Sequence, residues 1–178
     1  MREAASVKTP LGPFFVVAEG GYLIKSGFGE APPLPEGPLA KRAAEAVLSY
    51  FAGGELGDFP LKIEAPPFFQ RVYRALMKTR PGELVSYAEL ARWAGRPRAA
   101  RAVGQAMANN PLPLFVPCHR VVTADGRLGR YGPDPWRKAA LILLEAGKTD
   151  LEDRVPRLRA HPDLAAVRLG DLLGDGKP

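Results

Sequence analysis

Val85-Ser-Tyr-Ala-Glu-Leu-Ala-Arg-Trp-Ala-Gly-Arg-Pro-Arg-Ala-Ala-Arg-Ala-Val-Gly-Gln-Ala-Met-Ala108 is the stretch on which the fold turns. Ser86 with Glu89 three residues later is a capping-box pattern, in which hydroxyl and carboxylate each satisfy an N–H that a helix start leaves unpaired. That helix should run to Ala94 and stop at Gly95. Pro97 sits where a first helical turn would begin, and a second helix is expected from Arg98 to about Ala108. Two short helices joined by a Gly-containing turn form a helix-turn-helix pattern. Most positions of the second helix are Ala or Gly, so its backbone can approach another surface closely. Tight packing inside the protein would use that property, and so would a nucleic-acid groove. Arg98 and Arg101 favour the groove. Few long polar side chains are available to read base edges, so the contact should be independent of sequence and positioned by phosphates.

Upstream, Pro67 opens a helix whose apolar stripe is Phe69, Val72, Tyr73, Leu76 and Met77, ended by Pro81-Gly82. Further upstream, residues 1–30 read as strands, with a hairpin at Glu19-Gly20-Gly21 between Phe14–Ala18 and Tyr22–Ser26. Leu39, Ala43, Val47, Tyr50 and Phe51 recur at helical spacing. Downstream, Leu112–Val122 is apolar and reads as extended. Asp134-Pro135 should cap a helix through Leu144, closed at Gly147. Thr149 and Glu152 could cap a short helix, and Leu164–Leu173 another. The expected fold is α/β (α+β): a strand-rich lobe over residues 1–63, a mostly helical lobe with the helix-turn-helix over 64–148, and an extension over 149–178.

The 178 residues carry a net charge of +6, and its placement matters more than its size. Gln70 to Asn109 holds eight Lys or Arg against Glu83 and Glu89. A basic segment of this density points to a polyanion such as DNA, with a solvated surface as the alternative. No apolar run approaches the roughly 20 residues of a membrane span. The first residues lack the basic-then-apolar layout of a secretory signal, so a cytoplasmic location is expected. Cys118, His119 and His161 are the only Cys and His residues. They exclude an internal disulfide and cannot fill a four-ligand zinc site without carboxylates.

Val116-Pro-Cys-His-Arg-Val121 places the single thiol in an apolar stretch with His and Arg directly after it. A buried, inert cysteine is one reading. The other is a reactive one, since a neighbouring His or Arg lowers the thiol pKa from about 8.5. In a strand, adjacent side chains point to opposite faces, so a Cys–His pair would need a bend or a bridging water. The residues alone leave both readings open.

Asn110-Pro-Leu-Pro-Leu-Phe-Val-Pro-Cys-His-Arg-Val121 resembles the active-site signature of the O6-alkylguanine-DNA alkyltransferases. The similarity extends through Val85–Ala91 and Ala99–Gly104, reaches Leu144-Glu145 downstream, and continues more loosely to Thr9-Pro-Leu-Gly-Pro13. The resemblance implies DNA repair by stoichiometric, irreversible transfer of the alkyl group of O6-alkylguanine, or of O4-alkylthymine, to Cys118. It implies that His119 takes the thiol proton through a water, with Glu145 orienting His119. Asn110 would be a hinge, and Tyr87 would support base rotation and bond the flipped guanine. Arg101 would fill the gap left in the stack, with Arg98, Ala99, Ala102, Gly104 and Arg120 as further DNA contacts. Met107 would line the alkyl pocket. Carbonyls of Cys118 and Val121 would face the guanine amine, and the N–H near Tyr131-Gly132 would face O6. The implied partner is the minor groove of double-stranded DNA with alkylated bases. The implied protein is a monomer that uses no cofactor, metal or membrane.

After Tyr131 the family has a small residue followed by Gly-Gly, where this chain has Gly132-Pro133-Asp134-Pro135. Pro133 lacks an N–H and would stiffen the loop over the pocket, which bears on the alkyl sizes admitted. Two competing readings are a lesion-binding or regulatory DNA-binding module with a structural cysteine, and a cysteine hydrolase. The hydrolase has no use for the basic helix.

Overall fold

The computed structural model of the chain describes residues 1–132 and 134–174. These fall into two compact units: Met1–Glu64 with Pro111–Phe115, and Ala65–Asn110 with the chain from Val116 onward.

In the first unit, β1 (Arg2–Thr9), β2 (Gly12–Glu19) and β3 (Tyr22–Phe28) form an antiparallel sheet in that order. The Thr9 hydroxyl donates to Gly12 O over 2.7 Å and accepts the Leu11 N–H, closing the first turn. Gly20 and Gly21, at φ +60° and +83°, supply the left-handed pair that a two-residue hairpin needs. Phe14, Val16 and Leu23 are fully buried. Helix α1 (Pro38–Phe51) packs on the sheet through Ala40, Ala43, Ala44 and Val47, whose small side chains allow close approach. Residues 111–115 belong here as well, although the sequence reading gave 64–148 to one lobe. Ser26 donates its N–H to Pro111 O (3.0 Å) and its hydroxyl to Pro113 O (2.9 Å), and Leu112 and Leu114 are buried.

The second unit is helical: α2 (Pro67–Leu76), α3 (Tyr87–Trp93), α4 (Ala100–Ala108), α5 (Pro135–Glu145), α6 (Leu151–Ala160) and α7 (Leu169–Leu173). Two short strands, β4 (Val85–Ser86) and β5 (Val121–Val122), pair in parallel with Val85 opposite Val121. The capping box forms, with Ser86 Oγ accepting the Glu89 N–H and Glu89 Oε1 accepting the Ser86 N–H, both at 3.0 Å. Helix α4 begins two residues later than the sequence suggests. The Ala99 N–H donates to Arg96 O, so Pro97 and Arg98 lie in a turn before the helix.

Asp134 precedes α5 but does not cap it, because its carboxylate accepts from Arg137. Asp150, not Thr149, stands before α6, and the stretch 164–173 is broken into a 3-10 turn at Leu164–Ala166 and the short α7. The extension packs on the second unit. Leu128 and Gly129 donate N–H groups to Val167 O and Ala165 O, each at 2.9 Å, and the Arg159 guanidinium lies 4.9 Å from the Trp136 ring centroid. Among the described residues no helix is long and apolar enough to cross a membrane.

Candidate active site

Cys118 does not lie in a strand. Pro117, at φ −79° and ψ 67°, turns the chain into a 3-10 turn over Cys118–Arg120, which then runs into β5. A 3-10 turn has three residues per turn, so Cys118, His119 and Arg120 fan out in different directions instead of alternating across a strand. All three are buried. Pairing of β5 with β4 brings the start of α3, and hence Tyr87, beside the same segment. From the end of α4, Asn110 donates its side-chain N–H to Val116 O over 2.9 Å.

His119 donates through Nε2 to Glu145 Oε2 at 2.7 Å, since a carboxylate only accepts. The neutral imidazole therefore carries its lone pair on Nδ1, which is buried and has no protein partner among the described residues. Arg120 closes a fork on the same carboxylate, Nε to Oε1 at 2.8 Å and a terminal nitrogen to Oε2 at 3.1 Å. Its other terminal nitrogen donates to the backbone and hydroxyl oxygens of Thr79 at 2.7 and 2.9 Å. The expectation that Arg120 contacts DNA is corrected on this point: its guanidinium is committed inside the protein. Burial opposes ionisation of Glu145, but His119 and Arg120 outweigh it and hold the carboxyl well below its usual range.

Burial pushes the Cys118 thiol up, against the pull of Asn110, Lys138 and Tyr131 toward the ionised form. Tyr87 and Tyr131 are also raised, by burial first and then by the proximity of Cys118. The thiol of Cys118 thus interacts with Asn110, Tyr87 and Tyr131, while His119, next in the chain, pairs with Glu145. The structure adds two residues that the sequence reading did not place in the site. Tyr73 donates to Ala106 O over 2.7 Å, tying α2 to α4, and burial raises its hydroxyl to about 12. Lys138 is fully buried. Its spacing of seven residues from Glu145 puts both on one face of α5, a signal that helical periodicity contains.

The remaining site residues lie on or next to the helix-turn-helix and the following loops. Arg98 and Arg101 are exposed, whereas Ala99, Ala102, Gly104 and Met107 are half-buried. No atom lies within 4 Å of where a Cβ on Gly104 would stand, so this face of α4 is open. Among the described residues no acidic side chain pairs with Arg92, Arg96, Arg98 or Arg101. Glu83 and Glu89 instead accept backbone N–H groups of Arg80 and Ser86. Val121 is buried in β5, Gly132 is exposed, and Pro133 lies outside the described residues.

The DNA-binding domain model of 6-O-methylguanine DNA methyltransferase matches residues 67–147. A methylated-DNA–protein-cysteine methyltransferase of Mycobacterium leprae is 37% identical over 154 residues, spanning 82% of this chain and 93% of that protein. The constitutive protein so described in Bacillus subtilis is 42% identical over 112 residues, 62% of this chain and 68% of its own. Mycobacterium tuberculosis OGT, solved in complex with DNA, matches with a TM-score of 0.77 at 34% identity, covering 86% of this chain and 98% of that one.

Proposed function

The chain belongs to the 6-O-methylguanine DNA methyltransferase family, and from that premise we propose that it repairs double-stranded DNA by moving the alkyl group of an O6-alkylguanine onto Cys118. The observation that carries this reading is the buried His119–Glu145–Arg120 chain beside the only thiol, with the basic Nδ1 fixed by the Nε2 bond. The lesion is inaccessible within a duplex, so the nucleotide is flipped out at a cost of a few kcal/mol. Nδ1 takes the Cys118 proton through one water, and the sulfur attacks the alkyl carbon in line. An S–C bond forms, the C–O6 bond breaks, and its electron pair leaves on the guanine, which takes up a proton. Tyr87 hydrogen-bonds the flipped base. The Cys118 and Val121 carbonyls accept from its amine, the N–H near Tyr131-Gly132 faces O6, and Met107 lines the alkyl pocket. Asn110 is the hinge from α4 to the cysteine segment. Arg98, Ala99, Ala102 and Gly104 meet the minor groove, and the protein acts as a cytoplasmic monomer.

The thioether product has no easy hydrolytic exit, because proton transfer by His119 and Glu145 does not activate a methyl carbon. With lesion DNA in large excess, transfer should plateau at one methyl per chain, located on the Cys118 peptide by mass spectrometry. Product accumulating well past one equivalent excludes this mechanism, and an unmodified Cys118 favours a lesion-binding module.

Arg101→Ala should slow repair in duplex DNA by about tenfold or more while leaving reaction with free O6-benzylguanine nearly unchanged. Filling a vacated stack matters only when a base has left a helix, and the stacking at stake is worth roughly 1–3 kcal/mol. Equal slowing on both substrates would make Arg101 structural.

A further inference from the structure

We propose that Lys138 is a positioning residue for the transfer: its buried ammonium is the counter-charge that Cys118 requires when its thiol becomes a thiolate. The proposal rests on Cys118 being the acceptor.

Lys138 has no exposed surface, which is rare for a lysine without an anionic partner. Its Nζ donates to Arg130 O at 3.1 Å and lies 5.8 Å from the Tyr87 ring centroid. Gly129, at φ +81°, has no side chain, and a Cβ there would stand 3.3 Å from Lys138 Nζ and 3.5 Å from Tyr87 Oη. The ammonium and the phenol therefore converge on one point, which the chain keeps clear. Among the described residues no carboxylate is within ion-pair distance of Nζ, and Glu145 on the same helix face is held by His119 and Arg120. A buried cation offset by one carbonyl and one ring face is costly, and a negative charge developing beside it would relieve that cost.

Cys118 is the group on which that charge would develop. Among the described residues, ionisable side chains that act on the thiol include Tyr73 from α2, Tyr87 from α3, Tyr131 before α5 and Lys138 from α5. The phenols can contribute only negative charge, and Arg130 is exposed to solvent. Burial lowers Lys138 to about 8, and Cys118 is the one ionisable group acting against that. With the lysine protonated, removal of the thiol proton by His119 leaves a neutral Lys138⁺–Cys118⁻ pair. The thiolate charge then leaves with the guanine as the S–C bond forms, and the lysine keeps its proton throughout.

Lys138→Met preserves the bulk of the side chain and removes the charge, and Lys138→Arg restores a cation. Thiolate absorbance, with Cys118→Ala as background, should titrate at least one pH unit higher in Lys138→Met than in the parent chain. Methyl transfer from lesion DNA at neutral pH should fall about tenfold per unit, while affinity for lesion-free DNA stays unchanged. Lys138→Arg should recover part of both. An unmoved thiol titration in a folded Lys138→Met protein overturns the proposal, as does an equal loss in Lys138→Met and Lys138→Arg. If the parent chain never methylates Cys118, the functional reading fails instead, and the titration still reports on the pair.

Discussion

Cys118→Ala is expected to abolish alkyl transfer completely while leaving DNA affinity within about twofold of the parent. No second thiol can substitute, since Cys118 is the only cysteine. His119 Nδ1 would retain its basic lone pair but would have no thiol to deprotonate. Binding should survive because phosphate contacts supply most of it, and Arg92, Arg96, Arg98 and Arg101 are exposed on the helix-turn-helix. The substitution takes the sulfur away from two neutral groups, Asn110 and Tyr131, and leaves no buried charge unpaired, so the fold should tolerate it. Transfer from labelled lesion DNA and gel-shift affinity at fixed salt check the two halves separately. Residual transfer removes Cys118 from its role, and a collapse of affinity places it in the DNA contact.

The features legible in the sequence were those that local rules determine. The Ser86–Glu89 box and the Gly20-Gly21 turn are settled within a few residues, and both form as the pattern dictates. The features that escaped depend on partners far along the chain. An apolar run from Leu112 to Val122 reads as one strand, yet its first part joins Ser26 and Phe59 in the first unit. Its later part is bent by Pro117 into the turn that carries Cys118. Arg120 looked like a surface cation because Thr79, on one side, and Glu145, on the other, are 41 and 25 residues away. Lys138 stood in a helix whose polar positions are ordinarily solvated. Nothing within several residues of it announces a buried cation, and only its register with Glu145 does.

Arg120→Met should destabilise the protein by about 3–5 kcal/mol, the range found when one partner of a buried ion pair is removed. The Arg120 and Glu145 side chains are 8% and 3% exposed, so water can replace little of what is lost. The carboxylate would lose both bonds from the guanidinium, and the Thr79 carbonyl would lose its donor. Replacing Glu145 by Gln in the same chain should recover part of the loss, because the unpaired charge is gone; a double-mutant cycle isolates that coupling. Acid unfolding gives an independent reading. Glu145 is held below its unfolded value near 4.3, so the native state binds fewer protons there and the contribution is fully present above that pH. It is lost as pH falls toward the folded value. Without the guanidinium the folded value rises, and the acid-unfolding midpoint should move to higher pH. The salt dependence of DNA binding separates this role from a phosphate contact. A phosphate-binding arginine would lower the slope by about one when removed and barely alter stability. An unchanged slope with a large stability loss is the outcome expected here. A reduced slope in a fully stable Arg120→Met protein would return Arg120 to the DNA face.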